Sequence, residues 1–249
     1  MKGLIRLYFL FTVFFSILSC SSPYHITNHN VTQYRIKPDS PQDSSLSNLL
    51  KPYYIKMASA MERVIAVSDV EFIKKQPSCN MGNLFSDILM FIAETQFKTP
   101  VDLAILNHGG MRLTSMAPGN ITLGKVYELS PFDNMVVIVK INGKVLQQLL
   151  NLSANKGGWP IAGATYFIKD KKAVDVQVGA KPLDENKTYS IVTIDYLANG
   201  GDDADMLRGI AQLNNNIILR DAVVIYFEKL SAEGKHIVDL PEKRVQYAE

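Results

Sequence analysis

A chain of 249 residues that is 47% apolar and 20% charged, with a formal net charge of +2, carries enough apolar side chains for a core of normal size. It lacks the basicity of a nucleic-acid coat, so no nucleic-acid partner is expected, and one globular domain is expected after processing. Lys2 and Arg6 precede an apolar run over 7–18 that is too short for a comfortable membrane span. Residues 1–19 therefore read as an export signal.

Ile17-Leu18-Ser19-Cys20 resembles a bacterial lipoprotein cleavage site, with Cys20 as the lipidated first residue of the mature chain. That reading makes the protein an exported lipoprotein of the bacterial cell envelope, held to a membrane by a lipid anchor of several acyl chains, since one chain holds only marginally. An ordinary signal peptide that ends near a cysteine is the alternative. With Cys20 lipidated, Cys79 has no intramolecular partner; the other arrangement is a 20–79 disulfide in an oxidising compartment. Residues 20–44 are rich in Ser, Asn, Pro, Thr and Gln without an apolar period, and read as a flexible tether with a typical reach of ~27 Å. His25 and His29 lie in it four apart, but a segment without helical pattern offers no rigid face for a metal.

From Ser47 the positions of Leu49, Leu50, Tyr54, Met57, Met61 and Val64 suggest a helix leading into a strand over 64–67. Asn80 can cap the next helix, whose apolar positions Leu84, Ile88, Leu89, Ile92 and Phe97 recur at three- and four-residue spacings. A strand is expected over 102–107, a turn over 117–120, and a short helix capped by Thr122 and ending near Leu129. Residues 135–141 are so uniformly apolar that this strand should be buried on both faces. Asn142-Gly143 then opens a helix with Val145, Leu146, Leu149 and Leu150 inward, and 159–163 is expected as a loop. Strands over 164–168, 173–178 and 188–195 and a last helix over 221–230 complete a mixed α/β (α+β) domain without internal duplication.

The chemistry concentrates in polar turns set between apolar runs. The strand over 102–107 ends in Asn107, and Gly109 and Gly110 let backbone approach a ligand there. Arg112 adds a planar fork of donors suited to vicinal hydroxyls or phosphate, and Phe132 adds an aromatic face on a loop. Asn199-Gly200-Gly201-Asp202 repeats the pattern, with a carboxylate able to accept from a pair of hydroxyls. Asp203 and Asp205 lack the glycine and distal glutamate of a calcium hand.

The order Asn-x-Gly-Asn-Leu-x-x-Asp (80–87), Asn-x-Gly-Gly-x-Arg (107–112), Pro-Phe (131–132) and Asp-Tyr-Leu-Ala-Asn-Gly-Gly-Asp (195–202) resembles the C-terminal, substrate-binding domain of the 5'-nucleotidase / UDP-sugar hydrolase family. The resemblance implies a domain over 45–249 in which Phe132 and Tyr196 sandwich a nucleobase, Asp202 and Arg112 hold the ribose, and Asn107 reaches the base. Asn80 and Gly82 are expected to shape the pocket floor without touching the ligand, and Gly109, Gly110, Gly200 and Gly201 to free the backbone around it. Each stacking face is worth on the order of 1–3 kcal/mol and tolerates different bases. Two departures stand out: Lys74 and Lys75 occupy the stretch where the family often has a second arginine, and His108 stands where it often has glycine.

Family enzymes cleave phosphate with two metal ions held by a separate metallophosphatase domain, and two-metal hydrolysis needs many convergent ligands. This chain has four histidines, two of them in the tether, so neither a catalytic residue nor a metal ligand is assigned to it. No cofactor is expected in the chain itself, and divalent metals only in a partner metallophosphatase chain. The expected function is the nucleotide-binding, specificity-giving domain of a 5'-nucleotidase-type phosphohydrolase. The alternative is a non-catalytic extracytoplasmic lipoprotein that binds nucleotides or nucleosides.

Overall fold

A computed structural model describes residues 30–34, 37 and 40–248. The export signal over 1–19, Cys20 and most of the tether lie outside the described residues. Helix Ser44–Met61 starts earlier than Ser47 because the Asp43 carboxylate accepts the N–H groups of Ser45 and Leu46 at 2.9 and 3.0 Å.

After it come β1 (Val64–Ser68), β2 (Phe72–Ile73), helix Asn80–Thr95, β3 (Leu103–Ile105), β4 (Ser115–Met116), β5 (Gly119–Thr122) and helix Leu123–Leu129. Next are β6 (Met135–Asn142), helix Gly143–Asn155, β7 (Ile161–Ala162), β8 (Ala164–Lys169), β9 (Lys172–Val178), β10 (Lys181–Pro182) and β11 (Thr188–Ile194). The short helix Asp195–Ala198, β12 (Gln212–Ile218), helix Leu219–Ala232 and β13 (Val245–Tyr247) complete the order. The architecture is the expected mixed α/β type. A central five-stranded sheet runs β12-β6-β11-β3-β7, a second runs β10-β9-β8-β13, and β1-β5 and β2-β4 form two-stranded ribbons.

Several local expectations hold for the stated reasons. Thr122 and Asn142 cap their helices, accepting from Lys125 N–H at 3.2 Å and Val145 N–H at 2.9 Å. Val136 to Val139 are buried, because helices Gly143–Asn155 and Leu219–Ala232 both pack on β6. Elsewhere the structure differs. Cys79, not Asn80, caps helix Asn80–Thr95, its Sγ accepting the Gly82 N–H at 3.3 Å. The Asn80 side chain turns back instead, accepting from Ile73 N–H at 2.9 Å and donating to the Glu71 carbonyl and the Asp239 carboxylate. The segment expected as a loop over 159–163 contains β7, which pairs with β3. The turn over 117–120 runs directly into β5.

Strand direction is what positions the loops. β11 runs parallel to β3, with Ile191 opposite Leu103 and Val192 opposite Ala104, so both strands end at one edge of the sheet. β6 runs antiparallel to β11, with Val136 opposite Ile194, so the segment that enters β6 arrives where β11 leaves.

The C-terminal segment is fastened to helix Asn80–Thr95 by a paired fork. Arg244 donates from its two terminal nitrogens to Asp87 at 2.7 and 2.9 Å and also reaches the Ile161 carbonyl. Asp87 is thus structural. Asp87→Ala should lower stability by about 1.5–3 kcal/mol, read as a lower urea midpoint, and an unchanged midpoint would show that the fork contributes nothing.

Candidate functional site

Asn107, Gly109, Gly110 and Arg112 from the segment after β3, Phe132 and Asn134 from the segment before β6, and Tyr196 and Asp202 from the segment after β11 line one cavity of about 290 Å³. Gly200 and Gly201 line a neighbouring cavity of about 420 Å³, which shares Tyr196 and Asn134. Asn80 lines neither, since its side chain is committed to the backbone beside β2. The sequence-expected residues are therefore brought together, apart from Asn80, Gly82 and the two glycines after Asn199.

Asp202 is the polar centre. One carboxylate oxygen accepts from Asn107 Nδ2 at 2.6 Å and the other accepts from the Tyr196 hydroxyl at 2.9 Å. This hydrogen bond is the main cause of the raised Tyr196 pKa, because it favours the protonated phenol over the phenolate. Asp202 reaches both partners from a left-handed backbone, φ 51° and ψ 35°, a conformation that Asp tolerates better than most residues. Gly201 makes the approach possible: a Cβ there would lie 2.5 Å from the Tyr196 ring. The neighbouring acids are already paired, Asp203 with Lys156 at 2.6 Å and Asp205 with Arg208 at 2.8 Å.

Asn107 is 5% exposed and its Oδ1 has no protein partner. A buried acceptor left open is costly unless a donor arrives, and it belongs to a residue on the cavity wall. Arg112 sits 5.6 Å from the centre of the Phe132 ring, and among the described residues its guanidinium is in no ion pair. Phe132 and Tyr196 are 46% and 43% exposed. Two aromatic rings, the Arg112 guanidinium, Asn107 and the Asp202 carboxylate thus line one opening, a set suited to a flat ring joined to a hydroxyl-rich group.

Lys74, from the stretch that departs from the family pattern, does not line the cavity. Its ammonium donates to the Met111 carbonyl at 2.7 Å, and burial, then the charge of Arg112, lowers its pKa. His108 also stands off the cavity; burial, then Lys74, lowers its pKa below 6.5.

Two further residues set the geometry: Asp195, which stands in the 195–202 motif without an assigned role, and Arg220, which was not singled out from sequence. The Asp195 carboxylate accepts the N–H groups of Met135 and Tyr196 at 3.0 and 2.8 Å, tying the start of β6 to the end of β11. Arg220, 9% exposed, donates to the Pro131 carbonyl at 3.2 Å and to Asp133 at 2.6 Å, and lies 4.3 Å from the centre of the Tyr127 ring. It braces the loop that carries Phe132. Arg220 is 89 residues from Pro131, and it carries no local motif.

Among the described residues, no three His, Cys, Asp or Glu side chains converge as metal ligands would. His236 is paired with Asp69 at 2.6 Å, and the acids near the cavity are engaged by Asn107, Tyr196, Lys156 and Arg208. This donor set does not fit a two-metal centre.

The family model described as "5'-nucleotidase, C-terminal domain" matches residues 64–209. Protein UshA of Escherichia coli (strain K12) is 26% identical over 209 residues, covering 78% of this chain and 36% of that protein. A 5'-nucleotidase of Vibrio parahaemolyticus is 30% identical over 178 residues, covering 67% and 30% respectively. The crystal structure of a 5'-nucleotidase precursor from Thermus thermophilus superposes with a TM-score of 0.71 at 26% identity, over 84% of this chain and 44% of that one. The chain therefore spans less than half the length of each of these relatives.

Two outcomes test the geometry. Arg220→Gln should raise amide hydrogen exchange at 132–134 while leaving the helix Asn80–Thr95 protected; unchanged exchange at the loop would remove the bracing role. His108 has a folded-state pKa below its unfolded value, so the unfolded chain binds more protons and stability falls as pH drops from about 6.5 toward the depressed folded value. His108→Gln should flatten this part of a urea-midpoint profile, and a profile unaltered by the substitution would contradict the assignment.

Proposed function

The chain belongs to the 5'-nucleotidase C-terminal domain family, and we propose that it is the nucleotide-binding, specificity-giving part of a phosphohydrolase that acts in nucleotide catabolism. The observation that carries this reading is the opening of Phe132 and Tyr196 onto one cavity with Arg112, Asn107 and Asp202. The base stacks between the two rings, each face worth on the order of 1–3 kcal/mol. The open Asn107 Oδ1 accepts from the base edge, and the ribose hydroxyls donate to Asp202, where they compete with the Tyr196 hydroxyl. Arg112 accompanies them as a donor on the sugar side.

Hydrolysis needs divalent metals, and the described residues do not assemble a site for them. In the proposed arrangement a metallophosphatase on a separate chain supplies those ions, and this chain binds and orients the nucleotide. The protein is exported and held at the cell envelope through lipidated Cys20. Among the described residues no helix is long and apolar enough to cross a membrane. A second reading is a non-catalytic lipoprotein that captures extracytoplasmic nucleotides or nucleosides at the same cavity.

Calorimetry against a nucleotide and nucleoside panel should give a Kd between about 1 μM and 1 mM. Phe132→Ala should weaken it by roughly 1–3 kcal/mol, or about five- to 150-fold. Absence of saturable binding to any member of the panel would end the nucleotide reading. Phosphate release from nucleoside monophosphates that appears only with an added divalent-metal metallophosphatase chain, and drops with Arg112→Ala, supports the two-chain enzyme. Binding without any partner-dependent release supports the capture protein.

A further inference from the structure

Helix Ser44–Met61 has no buried residue and presents an apolar face that is exposed from Leu49 to Met57, with Met61 at its end partly covered beside Gly124. Leu49, Leu50, Tyr53, Tyr54 and Met57 are between 52% and 70% exposed. At roughly 100° per residue these five and Met61 fall in one continuous stripe about 140° wide. Ser59 lies directly opposite Leu50. Lys56 borders the stripe and Lys51 lies beyond its other edge. The helix contains no acidic residue; the nearest carboxylates in sequence, Asp43 and Glu62, lie beyond its two ends.

We propose that this stripe lies flat on an anionic lipid surface, as a membrane contact distinct from the Cys20 anchor. The charge of the helix favours this occupant: Lys51 and Lys56 flank the stripe with no carboxylate among the helix residues, and the negative surface of a bilayer attracts them. Tyrosines set among aliphatic side chains suit the headgroup boundary, where an apolar ring body and a polar hydroxyl are both satisfied. Such a helix sinks its apolar face about 5–10 Å into that boundary, with the side that carries Ser59 and the exposed Ile55 toward water. The helix also follows Cys20 within the reach of the tether, so an anchored chain brings it to the surface at high local concentration. The contact requires only the helix, and lipidation of Cys20 strengthens it.

The test uses the full chain with vesicles of phosphatidylethanolamine and phosphatidylglycerol that carry bromine on their acyl chains. The single native tryptophan, Trp159, is buried and supplies a constant background. Leu50→Trp should give emission shifted to the blue and quenched severalfold more than that of Ser59→Trp, with the difference shrinking in vesicles without phosphatidylglycerol. Flotation of the unsubstituted chain reports the anchor separately. A chain that floats while the two variants behave alike overturns the helix contact and leaves the anchor standing. A chain that does not float is titrated with excess anionic vesicles: quenching confined to Leu50→Trp supports the contact without the anchor, and no quenching overturns it. Emission of Leu50→Trp that ignores vesicles but shifts with an added metallophosphatase chain, or with rising protein concentration, overturns the proposal in favour of a protein partner.

Discussion

The parallel pairing of β3 with β11 is the constraint on which the site depends. Because Leu103 and Ala104 sit beside Ile191 and Val192 in the same direction, Asn107 and Tyr196 emerge from one edge of the sheet. The antiparallel β6 then delivers Phe132 to that edge from the other direction. Antiparallel pairing of β3 with β11 would send the two strand ends to opposite edges. The residues involved span positions 107 to 202 of the chain, and only the strand order brings them together.

On that frame polar contacts tie the loops to one another, beside the buried Met111, Leu197 and Leu207. Asp202 joins the strand end at Asn107 to the ring of Tyr196, Asp195 joins β6 to β11, and Arg220 holds the Phe132 loop from beneath. Each joins backbone or side-chain groups that a surface loop would otherwise leave to water. Among the described residues the Asn107 Oδ1 acceptor has no hydrogen-bond partner and the Arg112 guanidinium is in no ion pair. A ligand that supplies a donor to the first and hydroxyls or charge to the second satisfies both. That is the physical reason for proposing a nucleoside, rather than a plain hydrocarbon, as the occupant.

Much of this was legible in the sequence, and the failures follow a pattern. Long apolar runs and side-chain caps, such as β6 and the helices opened by Thr122 and Asn142, could be read because burial and capping act within a few residues. β12 escaped because Gln212-Leu213-Asn214-Asn215-Asn216 lies exposed at the sheet edge and shows no apolar alternation. The ribbon strands β2 and β4 and the edge strand β10 are only two residues long, too short for any period. Asn80 stands in a motif, 80–87, that supplies no residue to the cavity, because a motif does not separate a residue that ties backbone from one that faces a ligand. Arg220 was invisible because its partners lie far away in sequence. The periodicity of helix Ser44–Met61 was plain; that its apolar side faces outward could be learned only from the fold.

The most direct test of the stacked-base site is a crystal structure of the chain with a nucleoside monophosphate bound. The base is expected between the rings of Phe132 and Tyr196, with the sugar hydroxyls at Asp202 and the guanidinium of Arg112 on the sugar side. A nucleotide seated anywhere else on the molecule, with those two rings left bare, would contradict it.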